Sequence, residues 1–401
     1  MAPVAAVAEG SLPAVHLLLP TLGAGDAAGS HTLQLQQALR DAGMECELFV
    51  EHRDESFAGM VHHYSELGSF CRPGRTALVY QLAIGSPVAD MLLDRAEPLI
   101  VNYHNLTPAS FFWQWDPGLV DGIVWGHRQL HQLVPRTVHA IGVSELNRRD
   151  LERAGYSSTA VSPPLVRLGG GWESLPDSAP ARANGDTSGA RTARGEGARW
   201  LFVGRLAPNK AAHDLVKALY AYRRAYDPGA RLVLVGGQGH PLYTAAIKGL
   251  VDALGLVEAV ELAGAVDDES LAGYYASADI FVCLSDHEGF CFPLLEAMGH
   301  DLPVVAYGAG AVPETLGAAG LVLPVKSPAV VAAAVHQVLS GSPGLRRRLV
   351  AASRERLGVF SLERARRAMV AEVMKGLALA GLLDHHEGSR PVTGARRRSV
   401  R

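Results

Sequence analysis

Two glutamates, Glu288 and Glu296, stand with seven residues between them in the stretch Ser285 to Met298, S-D-H-E-G-F-C-F-P-L-L-E-A-M. An apolar run, Ile280 to Leu284, leads into this polar turn, and the chain then becomes apolar again. Pro293 suits the first turn of a helix, where a missing N–H costs no hydrogen bond. Glu288 is therefore expected before the helix and Glu296 within it. Eight residues of helix rise about 12 Å, too far for two carboxylates to share one proton or one metal ion. Such a pair suits an elongated, polyhydroxylated ligand held at both ends. The middle of that ligand would lie by the backbone N–H groups of Gly289, Phe290, Cys291 and Phe292, because a helix N-terminus favours an anion. A nucleotide sugar has this form, with hydroxyls at each end and a diphosphate between. Taken alone, the stretch is better read as a strand, a turn and a helix carrying two solvated glutamates.

Other residues add to the pattern. The apolar segment Trp200–Val203 runs into G-R-L-A-P-N-K, which puts Arg205 and Lys210 at the end of a strand. Two cations there could reach a diphosphate held near Gly289, each charge-assisted bond contributing about 1.5–3 kcal/mol. Nearer the N-terminus, T-L-G-A-G-D-A-A-G-S (Thr21 to Ser30) follows a strand and carries Gly25 and Asp26. It lacks the Lys-Ser/Thr ending of a P-loop and the glycine spacing of a dinucleotide fingerprint. Asp26 could hold a hydroxyl of the sugar or acceptor, or cap a turn. His104 and Asn105 follow the apolar run Leu99–Tyr103. One histidine among 16 is more often structural than functional, but a strand's C-terminal end is where a cleft is expected.

No Asp-x-Asp occurs, so the usual carboxylate pair for a metal-bound nucleotide sugar is missing and no metal is expected. The pairs His62-His63 and His385-His386 lack further ligands at metal spacing and are expected to be exposed. Gly236-Gly237-Gln238-Gly239 has no following P-loop lysine and reads as a turn whose backbone could line a cleft. Cys46, Cys71, Cys283 and Cys291 show neither metal-ligand nor redox spacing, which points to a reduced, cytoplasmic compartment.

These residues need elements to position them. Apolar runs at Val15–Leu19, Cys46–Val50, Ala77–Gln81, Leu99–Tyr103 and Val138–Val143 alternate with helical patterns at Leu33–Ala42, Val88–Ala96 and Gly118–Leu133. The alternation restarts with Trp200–Val203, Arg231–Val235, Val260–Leu262, Ile280–Leu284 and Val304–Tyr307, between helices near Ala211–Ala225, Pro241–Leu254, Glu269–Ala276 and Phe292–Met298. This is an α/β pattern of parallel sheets covered on both faces. At 401 residues, two domains are expected: 1–168 and 200–361, joined by a Gly/Ala/Ser/Arg-rich linker or insertion at 169–199. A helix over 362–383 is expected to pack back toward the first domain, followed by a basic tail at 384–401. Hydrophobic residues make up 48% and charged residues 19%, which excludes a disordered chain. A net charge of -3 gives no case for nucleic-acid binding. The start lacks the features of a signal peptide and no apolar stretch has membrane-spanning length, so the expectation is at most weak peripheral contact of the basic tail with the inner face of a membrane.

Three motifs carry a family resemblance: V-G-R-L-A-P-N-K (Val203 to Lys210), H-E-G-F-C-F-P-L-L-E-A-M (His287 to Met298) and P-V-V-A-Y-G-A-G-A-V-P-E-T-L (Pro303 to Leu316). They resemble the family 4 glycosyltransferases of the GT-B fold, in which two Rossmann-like domains face each other across a cleft. In the first block, the loop around Gly25-Asp26 and Y-H-N-L-T-P-A-S-F-F (Tyr103 to Phe112) resemble a bacterial and archaeal subgroup. The resemblance implies a retaining, metal-independent transferase that moves a sugar from a nucleotide-diphosphate donor to a glycan or lipid-linked hydroxyl, with no cofactor beyond the co-substrate. It implies that Arg205 and Lys210 hold the diphosphate, Glu288 the transferred sugar and Glu296 the ribose. Gly264 and Val266 would lie by the base, His104 by the reacting sugar, and Gly25 over the phosphates or beside the acceptor. Asp26 and Asn105 would fall on the acceptor side. Where the family often has G-F-G, this chain has Gly289-Phe290-Cys291, which bears on sugar selectivity. Uridine and guanosine donors both fit, and closure of the domains over the donor would exclude water. A GT-B phosphorylase, a nucleotide-sugar 2-epimerase and a catalytically silent subunit are the competing readings; the joint presence of Arg205, Lys210, Glu288 and Glu296 argues against the last.

Overall fold

The computed structural model describes residues 12–23, 26–165, 197–341 and 343–383. Gly25, most of the 169–199 segment, the 384–401 tail and with it His385-His386 lie outside them. The first sheet consists of β1 (Ala14–Leu22), β2 (Leu48–Arg53), β3 (His62–His63), β4 (Thr76–Leu82), β5 (Leu99–Tyr103), β6 (Thr137–Gly142) and β7 (Thr159–Val161). Its strands lie in the order β3-β2-β1-β4-β5-β6-β7. The second consists of β8 (Arg199–Val203), β9 (Arg231–Val235), β10 (Val260–Gly264), β11 (Ile280–Cys283), β12 (Val304–Tyr307) and β13 (Gly320–Leu323), in the order β10-β9-β8-β11-β12-β13. The recorded pairings are parallel in both sheets, for example Val203 with Val235 and Cys283 with Ala306. β1, β4 and β5 are buried along nearly their whole length, as expected for strands covered on both faces. These are the two doubly wound domains that the alternating pattern implies.

Strand order reverses between β1 and β4 in the first sheet and between β8 and β11 in the second. At such switch points the loops leave in opposite directions and open a crevice beyond the strands' carboxyl ends. The loop after β8 carries Arg205 and Lys210, and the loop after β11 carries Glu288. Both therefore border one crevice.

The chain does not end with the second domain. Helix Leu362–Leu379 returns to the first sheet, where Ala365, Met369, Val373 and Leu377 share a buried cluster with Leu17, Ile100 and Ile141. A Cβ on Gly376 would come within 2.4 Å of Ile100 Cδ1, so helix and sheet touch closely there. Glu372 also accepts from His139 Nε2 at 2.9 Å.

Several elements have no counterpart in the sequence reading: β3, β7, β13 and the helices Glu145–Ala154, Val312–Leu316, Pro328–Ser340 and Pro343–Val359. The three strands have two to four residues each, too short for a periodicity to show. One histidine differs from expectation as well. His62 is half-buried rather than exposed, because β3 lays its ring against Phe70 and Phe49 at centroid distances of 4.5 and 5.3 Å. Among the described residues no helix is long and apolar enough to cross a membrane.

Candidate active site

The helix that begins at Phe292 has Pro293 in its first turn, and its N-cap, Cys291, adopts a left-handed backbone with φ 72°. Glu288 lies before this helix and Glu296 inside it. A left-handed residue turns the chain sharply into the helix. Glycine adopts that conformation without strain, which explains why a glycine suits position 291 and what this chain accommodates instead. The Phe290 ring packs on Phe292 and Phe360 rather than facing the crevice, and its carbonyl accepts from Thr315 Oγ1 at 2.6 Å.

Glu288 and Lys210 meet directly. Lys210 Nζ lies 2.7 Å from both carboxylate oxygens, with side-chain exposures of 25% for the lysine and 6% for the glutamate. Burial, the largest single influence, works against the ammonium, but Glu288 together with Cys291 and Cys283 offsets it, and the lysine pKa rises. Lys210 is held by the short turn Pro208–Lys210, and the loop opposite by Asp286 N–H, which donates to Asn209 O at 2.8 Å. Lys326 adds a second clamp: its ammonium lies 2.6 Å from Asp286, 2.7 Å from Asp214 and 3.1 Å from Leu284 O. Arg205 is exposed and lines a pocket with Phe112, Trp115, Asp116 and His240.

Cys283 and Cys291 come together here against expectation, their sulfurs 3.9 Å apart. One ends β11 and the other caps the following helix, so the seven residues between them fold back to bring the two sulfurs into contact. With Glu288 they form a set whose ligand atoms lie within 4.8 Å of one another. The Lys210 ammonium already sits on both Glu288 oxygens, in the place a cation bound there would take.

Glu296 accepts from Tyr275 Oη at 2.7 Å, and burial raises its pKa despite that bond. Gly264 ends β10 with φ 74° and open space where a side chain would stand, and Val266 follows it half-buried.

On the facing domain, Asp26 caps helix Ala27–Asp41, accepting from Ala28 N–H at 3.1 Å and Gly29 N–H at 3.0 Å. Of the two readings for Asp26, turn capping is the one these bonds describe. His104 follows β5; burial lowers its pKa to about 4, and its Nε2 lies 2.7 Å from the Gln81 amide. Asn105 holds φ 79° and reaches across to His287 at 2.8 Å, while Asn147 Nδ2 donates to its Oδ1 at 3.1 Å. A second contact between the domains joins Glu314 to the first N–H of helix Glu145–Ala154 at 2.8 Å, a carboxylate at a helix N-terminus. Phe112 packs with Ala207 at the cleft mouth. Lys326, Asp214, Asn209, Tyr275, Gln81, Asn102 and His31 were not singled out from the sequence. Each acts on a partner remote in the chain, which no local spacing reveals.

Residues 197–341 match the family model described as Glycosyl transferases group 1. The chain is 35% identical over 154 residues to a GDP-mannose-dependent alpha-(1-6)-phosphatidylinositol monomannoside mannosyltransferase of Mycobacterium tuberculosis, covering 36% of this chain and 39% of that protein. It is 33% identical over 177 residues to a D-inositol 3-phosphate glycosyltransferase of Acidothermus cellulolyticus, covering 41% and 39%. The matched segment thus spans about two-fifths of the length of these curated relatives. In three dimensions the chain is similar to sucrose-phosphate synthase from Thermosynechococcus elongatus, with TM-score 0.67 and 20% identity over 92% of this chain and all (100%) of that one. It is also similar to Anabaena HepE in complex with UDP-glucose, with TM-score 0.68 and 17% identity over 90% and 99%. At such identities the likeness is one of fold.

Proposed function

We propose that this chain, a GT-B fold whose C-terminal domain is a family 4-like group 1 glycosyltransferase domain, transfers a sugar from a nucleotide-diphosphate donor to a hydroxyl on a glycan or lipid-linked acceptor, with retention of configuration and without a metal. The observation that carries the reading is the Lys210–Glu288 pair at the second sheet's switch point. It places a cation and a buried carboxylate side by side where the leaving diphosphate and the sugar hydroxyls of a donor would lie.

In this reading the acceptor oxygen bonds to the anomeric carbon on the face from which the diphosphate departs, and the acceptor proton leaves with the departing phosphate oxygen. Lys210 and Arg205 stabilise the charge that develops on the diphosphate; fixed cations and backbone dipoles do this without reorganising. Glu288 orients the sugar hydroxyls and Glu296 the ribose, while Gly264 and Val266 border the base. The sequence offers no Asp-x-Asp for a metal-bound donor, which favours cationic side chains in that role. Three of the curated relatives have GDP-mannose in their names, so GDP-mannose is the first donor to try.

The test is a thermal-shift screen over GDP- and UDP-sugars, followed by product analysis with lipid-linked and free glycan acceptors. Stabilisation by one nucleotide sugar, lost in Glu288→Gln, and a product of retained configuration are expected. An epimerised free sugar, phosphate-dependent cleavage, or no stabilisation by any nucleotide would overturn the reading.

A further inference from the structure

Behind the first domain's edge of the cleft lies a buried polar chain that the proposed chemistry does not account for. His31, Gln81 and Asn102 are fully buried, and they connect helix Ala27–Asp41, β4 and β5 to His104. The Leu165 backbone N–H donates to His31 Nδ1 at 2.8 Å. The Asn102 amide lies 2.8 Å from His31 Nε2, 2.7 Å from the Gln81 amide and 3.2 Å from His104 Nε2. The same Gln81 atom lies 2.7 Å from His104 Nε2.

The order of donors along this chain follows from its one unambiguous end. A backbone N–H can only donate, so His31 Nδ1 accepts and carries no proton. A neutral imidazole carries one proton, so it sits on His31 Nε2, and that N–H needs an acceptor. The nearest atom belongs to the Asn102 amide, drawn as Nδ2. Amide oxygen and nitrogen are told apart by their bonds rather than by shape, and here the bond requires the oxygen. The Gln81 atom that touches it, drawn as Oε1, must then be the nitrogen, since two carbonyl oxygens would repel at 2.7 Å. Rotating both amides gives up only the long 3.2 Å contact of Asn102 with His104 Nε2, the shorter 2.7 Å bond from Gln81 remaining, and strands no new atom, because Gln81 Nε2 and Asn102 Oδ1 have no partner in the unrotated arrangement. The Gln81 NH2 then serves Asn102 with one hydrogen and His104 Nε2 with the other.

We propose that His31, acting through Asn102 and Gln81, holds His104 as the Nδ1–H tautomer, so that His104 offers the cleft a hydrogen-bond donor for a ligand oxygen and cannot act there as a general base. Burial lowers the pKa of both histidines, keeping each ring neutral with a single proton near pH 7. His104 Nδ1 has no hydrogen-bond partner among the described residues, and His104 immediately precedes Asn105, the residue that touches the opposite domain. The ligand oxygen is a hydroxyl or phosphate oxygen of the nucleotide sugar, a point that rests on the function proposed above; the tautomer does not. His31 is a positioning residue in this scheme.

The tautomer is read directly from long-range nitrogen–proton correlation spectra of the full chain labelled with 15N-histidine, with His104 and His31 assigned from the signals lost in His104→Asn and His31→Gln. The expected result is His31 as Nε2–H and His104 as Nδ1–H; His104 found as Nε2–H overturns the proposal whether or not transfer is ever observed. Activity supplies a second reading. His104→Asn, whose amide can place a donor where Nδ1 stands, is expected to keep kcat/KM within about threefold, whereas His104→Phe loses about tenfold or more for one hydrogen bond. Equal losses in the two variants, with folding intact by spectral dispersion, would also overturn it.

Discussion

Lys210 and Glu288 show how much a residue's role depends on what it touches. In the proposed donor site Lys210→Ala would remove a diphosphate contact, and donor use is expected to weaken about ten- to a hundredfold. It also strands a carboxylate only 6% exposed, and breaking a buried pair from one side costs about 3–5 kcal/mol. Chemical denaturation is therefore expected to show Lys210→Ala markedly less stable than Lys210→Met/Glu288→Gln, in which neither charge remains. Equal stability in the two would mean that the pair carries no such coupling. Glu296 gives the opposite sign. Burial raises its pKa, so its contribution to stability is fully present below the unfolded carboxyl's pKa and is lost as pH rises through the folded one. Glu296→Gln keeps an oxygen for Tyr275 and sheds the buried charge. Its melting temperature is expected to exceed that of the parent at pH 7 and to match it more closely near pH 4, while nucleotide affinity falls. A lower melting temperature at pH 7 would count against this account.

Among the elements, the decisive contact joins the loop after β11 to the loop after β5. A Cβ on Gly289 would come within 2.4 Å of Asn105 Cβ, so only glycine lets the two backbones approach this closely. Gly289→Ala is expected to push the domains apart at the cleft and reduce kcat/KM at least tenfold. Asn105→Gly removes the opposing Cβ and suits the positive φ at that position, so the double variant should recover compactness in X-ray scattering relative to Gly289→Ala alone. The strands and helices bordering the cleft were legible because each is long and apolar enough to show a period. β5, β9 and β12 coincide with the apolar runs read from the sequence. What escaped were two-to-four-residue strands and four helices, among them Glu145–Ala154, whose polar composition leaves only a thin apolar stripe.

For the whole molecule, the terminal helix ties the two domains together. Met369 is fully buried in the first domain's cluster although it follows the entire second domain in sequence. Met369→Ala is expected to cost about 2–5 kcal/mol and to reduce hydrogen-exchange protection in β1 and β5 more than in β8 and β11. Uniform loss across both sheets, or none, would contradict that assignment.

The sequence by itself determined the two alternating blocks, the placement of Arg205 and Lys210 after one strand and Glu288 after another, and the family resemblance, which the match over residues 197–341 bears out. Those features are local: apolar periodicity, turn residues and a proline at a helix start. Tertiary structure decided the rest, because pairing partners far apart in the chain leave no local trace. The contacts of Lys210 with Glu288, Cys283 with Cys291, Lys326 with two aspartates, and His31 with His104 all depend on strand order at a switch point or on packing behind it. Spacing along the chain cannot express distance across a sheet.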